Sequence, residues 1–151
     1  MALTSAQQAR LNQICRGAKG LLLGNLVQDG HAFNLRHRVT TAEVNAGHTI
    51  LTPPSGKAVR VIDITMIAIG GAASGATTID VLDVASKLLA VAVAALTQSA
   101  VVRAGAANAT VLADGASFIT LTANHAISVG KTGNDLATAT AIDVIITYAI
   151  E

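Results

Sequence analysis

Several short groups of residues in this sequence have the types needed for chemistry, but each departs from the pattern that its chemistry requires. Gly130-Lys131-Thr132 resembles the end of a phosphate-binding loop, which needs a glycine five positions earlier and a helix afterwards. His125 occupies that earlier position, and Gly133-Asn134-Asp135 does not begin a helix. We therefore interpret the segment as a hairpin turn. The glycine-rich segment Gly70–Gly75 leads toward a strand, so its glycines are expected to provide turn conformations.

The histidines, the cysteine and the serines also form no pattern typical of a metal site or a catalytic triad. No two histidines have the spacing of a metal-binding pair, and none is followed by a Glu or Cys companion. The four are His31, His37, His48 and His125. Cys15 lies on a predicted terminal helix, where a nucleophile would be poorly positioned, and no motif supports Ser117 or Ser128. The sequence thus predicts no catalytic residue, no cofactor, no metal ligand and no enzymatic activity.

Two arginines have a spacing that suits recognition of another molecule. Arg36 and Arg38 are two positions apart, so in an extended segment both project to the same side. Guanidinium groups bind carboxylates through paired hydrogen bonds, although two isolated arginines in a loop can also be merely solvated. Residues 1–45 carry a net charge of +3 and the rest of the chain −2. We predict an acidic partner surface that contacts Arg16, Lys19, Arg36 and Arg38.

Composition indicates a protein whose surface is largely covered by partners. The chain has 151 residues, which suits one domain, and 52% of them are hydrophobic. Only 13% are charged, against roughly 25% in typical soluble proteins. This favours a permanent oligomer or assembly, although a coat of Thr, Ser, Asn and Ala would also serve. The net charge of +1 does not indicate nucleic-acid binding, and no apolar run reaches the ~20 residues that span a bilayer.

The first 45 residues are expected to form a helix followed by an extended arm. Thr4 or Ser5 can cap a helix that runs to about Arg16, either as a docking helix or packed on its own domain. Residues 17–45 are rich in glycine and lack periodicity, so we predict an irregular arm that a partner orders. Deletion of residues 1–45 is then expected to leave the remaining domain folded. The single cysteine and the absence of a signal-peptide pattern fit a reducing cytoplasm.

From Gly47 onward the pattern predicts strands. Lys57–Ile69 is the central one, and strict alternation groups Ile62 with Ile64 and Met66 on one of two apolar faces. Ile142–Glu151 alternates most clearly, as expected in an antiparallel sheet. Residues 88–96 fit either helix or strand, and we favour strand. Shorter strands are predicted at Thr49–Thr52, Thr77–Leu82, Val101-Val102, Ala109–Leu112, Phe118–Thr122 and Ile127–Val129. We predict an all-β protein, with a jelly-roll-like β-sandwich at 46–151 after an N-terminal helix and arm at 1–45.

Five segments of this β region resemble the capsid decoration, or cement, proteins of tailed bacteriophages. They are Gly47-His48-Thr49-Ile50-Leu51, Pro53-Pro54-Ser55-Gly56-Lys57, Val59-Arg60-Val61-Ile62-Asp63, Ile69-Gly70-Gly71 and Asp143-Val144-Ile145-Ile146-Thr147-Tyr148. The resemblance covers roughly residues 45–151. It implies a trimer with a jelly-roll or similar sandwich on the virion exterior, made in the host cytoplasm. There such a protein bridges major capsid protein subunits, and it has no catalytic residues.

An alternative function remains open. A β-sandwich can also be a recognition domain, such as the trimeric head of a phage fibre or a carbohydrate-binding module. Sugar sites commonly stack a ring on Trp or Tyr, and this chain has no Trp and one Tyr, Tyr148, on a predicted core strand. Binding to a glycan array or to capsids would separate the two functions.

Overall fold

A computed structural model describes residues 32–110 and 122–151. The predicted N-terminal helix, Arg16, Lys19 and most of the predicted strand Phe118–Thr122 lie outside the described residues. The strands are β1 (Phe33–Thr40), β2 (His48–Leu51), β3 (Val59–Ile69), β4 (Ser74–Asp83), β5 (Ser86–Ala92), β6 (Val101–Arg103), β7 (Ile127–Ala137) and β8 (Ala141–Ile150). One α-helix, α1 (Thr41–Ala46), links β1 to β2, and a 3₁₀ turn (Val93–Ala95) follows β5.

The strands form a sandwich of two antiparallel sheets. The first sheet has the order β1-β8-β3-β6 and the second has the order β2-β7-β4-β5. Strand β1 pairs with β8, β2 with β7, β3 with β6, and β4 with β5. The chain therefore runs as one long hairpin whose successive pairs alternate between the two sheets. The prediction of an all-β class is confirmed.

The core lies between the two sheets and is built from aliphatic side chains. Ile64 and Met66 of β3, Ile146 of β8 and Ile79 of β4 are all fully buried. Burial of one such side chain contributes about 1.5–3 kcal/mol to folding. The alternation predicted for the last strand places Ile142 and Ile146 in this core. The favoured strand at 88–96 is confirmed for residues 88–92, which belong to β5, and is wrong for Val93–Ala95, which form the 3₁₀ turn.

A bulge in β3 changes which of its residues face the core. Val61 pairs with Tyr148 and Asp63 pairs with Thr147, so Ile62 has no partner on β8. Ile62 is 51% exposed, whereas Val61 on one side and Ile64 on the other are buried. A bulge inserts one extra residue and reverses the alternation beyond it. The predicted grouping of Ile62 with Ile64 and Met66 is therefore wrong.

The expected irregular arm is also wrong from Phe33 onward. Strand β1 alternates between exposed residues and more buried ones that end at Val39. Helix α1 begins with a capping box, in which the Thr40 hydroxyl accepts from the Glu43 amide and the Glu43 carboxylate accepts from the Thr40 amide. Val39 and Val44 are fully buried. These residues belong to the sandwich because they complete its first sheet and fill its core.

The predicted hairpin turn at Gly130-Lys131-Thr132 is likewise wrong. The segment lies inside β7, where Gly130 pairs with Asp80 and Thr132 with Thr78. The chain turns later, between Ala137 and Ala141, where Thr138 has a positive φ of 62°. Glycines in a long strand allow close approach of a neighbouring strand, and they look like a turn in the sequence.

Candidate partner-binding face

The two arginines predicted to bind a partner lie on the outer face of the first sheet. Residues that pair directly across neighbouring strands share a face of the sheet. One row across β1, β8, β3 and β6 is Arg36, Ile145, Thr65 and Arg103, and the next is Arg38, Asp143, Ile67 and Val101. We call these eight residues the arginine face. The prediction that Arg36 and Arg38 project to the same side is confirmed.

Both arginines bind one carboxylate, and it belongs to this chain. The Asp143 side chain is fully buried although it lies on an outer face, because the two arginine side chains cover it. Arg38 donates from Nε to Oδ1 at 2.7 Å and from Nη2 to Oδ2 at 3.0 Å. Arg36 donates to Oδ2 from Nε at 3.1 Å and also from Nη2.

This geometry keeps Asp143 ionised. The hydrogen bonds from Arg38, followed by those from Arg36 and the attraction of both charges, lower the pKa of Asp143 from 3.8 to about 2. Burial acts in the opposite direction and is outweighed. The same pairing raises the pKa of Arg38. Three charges are therefore fixed in place by mutual contacts.

The arginines retain binding capacity after pairing with Asp143. A guanidinium has five N–H donors, and the contacts with Asp143 use Nε and Nη2 of each arginine. Within the described residues, neither Nη1 group donates a hydrogen bond. The side chains of Arg36 and Arg38 are 62% and 56% exposed. The pair can therefore bind a second carboxylate presented from outside.

The rest of the arginine face mixes apolar and charged groups. Val101 is 62% exposed, and Ile67 and Ile145 are half-buried beside it. At the opposite edge from β1, Arg103 pairs with Asp63 of β3 at 2.7 Å, which raises the pKa of Arg103. Arginine combined with aliphatic surface is typical of protein–protein interfaces.

A second buried carboxylate lies on the other sheet and is fully satisfied there. Asp80 of β4 accepts from the hydroxyls of Thr78 and Thr132 and pairs with Lys87 of β5 at 2.9 Å. Thr132 is part of the segment that resembles a phosphate loop, and its hydroxyl is engaged here instead. Lys131 pairs with Asp135 at 2.9 Å. This cluster ties β5, β4 and β7 together.

Three histidines lie close to groups that are distant in the sequence, and His31 lies outside the described residues. His125 Nδ1 lies 2.9 Å from the buried Asp83, but within the described residues no hydroxyl is hydrogen-bonded to its ring. The rings of His37 and His48 are 5.3 Å apart, and Glu43 lies 3.8 Å from His48. Hydrogen bonds from the backbone and hydroxyl of Thr40 lower the pKa of Glu43. Across 32–110 and 122–151, no three His, Cys, Asp or Glu side chains are grouped to hold a metal.

Comparisons with protein-family models, with curated proteins and with solved structures found no match. In the part of the chain that the structure describes, no helix has the length and apolar character needed to cross a membrane. A groove of about 350 Å³ lies on the second sheet and is lined by small residues of β4, β5 and the segment after β6. Among the described residues, the arginine face is our candidate for partner binding, because Arg36 and Arg38 keep donors that Asp143 does not use.

Proposed function

We propose that this chain is a capsid decoration protein of a tailed bacteriophage, which binds the outside of the shell and bridges major capsid protein subunits. The observation that carries the proposal is the arginine face. It presents two fixed, exposed arginine side chains on the same face as the half-buried Ile67 and Ile145 and the exposed Val101, which suits an acidic protein surface. The resemblance of residues 45–151 to decoration proteins supplies the identity of the partner.

The strand order supports the jelly-roll interpretation of the sandwich. A jelly roll has eight strands in two sheets and two Greek keys. The orders β1-β8-β3-β6 and β2-β7-β4-β5, with their alternating hairpin pairs, are those expected when one long hairpin is rolled into a sandwich. The proposed function needs such a rigid body, because a bridging protein must hold two neighbouring subunits at a fixed spacing.

The proposed mechanism is stabilisation by selective binding. A protein that binds the assembled shell more tightly than free subunits shifts the equilibrium toward the shell by mass action. Bidentate contacts from Arg36 and Arg38 to carboxylates would give orientation, and desolvation of Val101 and its neighbours would add affinity. Low charge also leads us to propose self-association, and the family resemblance alone suggests a trimer, for which light scattering should give three times 15.2 kDa.

The test is sedimentation of purified protein with capsids that lack it. The variant R36Q/R38Q/D143N replaces the whole ion cluster by amides, so no buried charge is left unpaired. The matched control R60Q/E151Q removes an arginine–carboxylate ion pair on the same sheet but outside the arginine face. We expect wild type and control to sediment with capsids and the triple variant to lose at least about tenfold in affinity.

Two results would contradict the proposal. One is wild-type protein that stays in the supernatant with every capsid preparation tested. The other is saturable binding on a glycan array without capsid binding, which would favour the recognition-domain alternative. Reversing both charges with R36E/R38E is a poorer test, because it would surround the buried Asp143 with like charges and destabilise the fold.

A further inference from the structure

Strand β1 has the longest open edge in the described part of the molecule. All eight of its residues pair with β8 on one side, and among the described residues no strand pairs on the other. The edge strands β2 and β6 have only four and three residues. The side of β5 that faces away from β4 is partly occupied, because its backbone is hydrogen-bonded to residues 108 and 110. β1 is therefore the edge at which the sandwich can accept a further strand.

An open antiparallel edge has its own recognition chemistry. Alternate residues of an edge strand direct both their N–H and C=O groups outward, so an eight-residue strand offers about four such residues. An extended peptide can add to these groups as a further strand, with main-chain hydrogen bonds giving affinity and side chains giving specificity. On β1 the outward-facing side chains at the centre are Arg36 and Arg38.

The charges of β1 decide which strand can be added. Pairing of β1 with β1 of a second copy would bring two pairs of arginines together, and like charges in facing positions destabilise a sheet. A strand with acidic residues two positions apart would instead place their Cβ atoms about 5 Å from those of Arg36 and Arg38, so that the carboxylates can reach the guanidiniums. Asp143 already fixes these guanidiniums in position, so little side-chain entropy is lost on binding.

We propose that β1 accepts along its open edge an extended acidic segment of the partner protein, whose alternate carboxylates bind Arg36 and Arg38. This deepens the proposed function, on which it rests for the identity of the partner as the capsid protein. The same two arginines then serve two purposes. They oppose edge-to-edge pairing between copies of this protein, and they select an acidic strand over a neutral one.

The experiment uses the full chain and a synthetic probe, so it does not depend on capsids. The probe is a blocked peptide, Thr-Glu-Val-Glu-Val-Glu-Thr, and its control has Gln in place of each Glu. NMR follows backbone amide shifts and hydrogen exchange during titration. We expect saturable binding at low salt, slowed exchange at alternate amides of β1, and binding of the Gln peptide weaker by at least about tenfold. Raising the salt to about 0.5 M should weaken binding of the Glu peptide.

The variants used in the capsid assay test whether Arg36 and Arg38 are the residues that select the Glu peptide. R36Q/R38Q/D143N should lose the preference for the Glu peptide, whereas R60Q/E151Q should retain it, and the amide spectrum reports whether each is folded. No binding of the Glu peptide at millimolar concentration, or shifts confined to β6 or the second sheet, would overturn the edge inference. Because capsid sedimentation is measured separately, such a failure would leave the proposed function standing. Failure to bind capsids would in turn leave the peptide result intact.

Discussion

At the scale of single residues, Asp143 shows that a residue on the outer face of a sheet can still be fully buried. The alternation of the last strand places Asp143 on the solvated side, and the structure keeps it on the outer face. It is nevertheless fully buried, because Arg36 and Arg38 lie over it. A buried carboxylate is tolerated only when it is paired and hydrogen-bonded, and Asp143 has both kinds of contact.

The pKa of Asp143 predicts an acid-dependent loss of stability. Its pKa in the folded protein, about 2, is below the ordinary value of 3.8. The unfolded chain therefore takes up a proton first, so the stabilisation is present above pH 4 and is lost as pH falls toward 2. We expect a contribution of about 1–2 kcal/mol, reduced by the exposure of the arginines.

Urea denaturation between pH 5 and 2 would measure this effect by comparing wild type with D143N. The difference in unfolding free energy between the two should shrink by about 1–2 kcal/mol over that range. The comparison isolates Asp143 from other carboxylates with a lowered pKa, such as Glu43 and Glu151. A constant difference at every pH would show that Asp143 is not the titrating group.

At the scale of the elements, the bulge in β3 separates two neighbouring isoleucines that a simple strand would place together. Ile64 is fully buried and Ile62 is 51% exposed. We expect I64A to lower the free energy of unfolding by about 2–5 kcal/mol, because it leaves a cavity in the core. I62A should change it by less than about 0.5 kcal/mol. Thermal or urea unfolding checks both, and equal costs would mean that the alternation continues through residue 62.

Two glycines with similar backbone angles should respond differently to alanine. Gly56 and Gly75 have φ values of 76° and 86°. A Cβ on Gly56 would meet nothing within 4 Å, whereas one on Gly75 would lie 2.3 Å from the carbonyl oxygen of Asp135. G56A should cost about 1–2 kcal/mol from its backbone angle alone. G75A should cost clearly more, since it must also displace β7, and similar urea midpoints for the two would contradict this close approach.

The elements also show what the sequence could and could not predict. β8 could be predicted because its alternating residues, from Ile142 to Ile150, are all large and apolar. β1 could not be predicted, because the polar His37 interrupts the apolar residues that face the core. The glycines before it also suggested an irregular segment. The arginine pair was recognisable from its spacing alone. Its partner Asp143 lies 107 residues from Arg36, and only the pairing of β1 with β8 brings them together.

At the scale of the whole molecule, the boundary of the folded unit can be tested by truncation. Strand β1 pairs along its whole length with β8, and Val39 and Val44 fill the core, so we expect a chain that begins at Ala32 to keep its β-type circular dichroism and its cooperative unfolding. A chain that begins at Ala46 loses β1 and most of α1, together with the buried Val39 and Val44. We expect it to be unfolded or strongly destabilised.

This result would replace the expectation that deletion of residues 1–45 leaves a folded domain. Removing β1 would also uncover one side of β8 and leave Asp143 without its two cations. A stable, cooperatively unfolding protein without residues 1–45 would show that β1 is an accessory strand. The capsid-binding assay should therefore be made with the shorter deletion of residues 1–31.

The strand pairs β1–β8, β2–β7, β3–β6 and β4–β5 lie one inside another along the chain, and this limits which of them can form early during synthesis. β8 is made after all seven other described strands, yet it lies between β1 and β3 in the first sheet. That sheet cannot close until β8 has been made, whereas β4 and β5, which follow one another in the described chain, can pair early as a local hairpin. Such long-range pairing is typical of folding in milliseconds to seconds. Until β8 pairs with it, β1 lacks its partner in the first sheet. The charges on Arg36 and Arg38 would then help to prevent β1 from aggregating with other nascent chains.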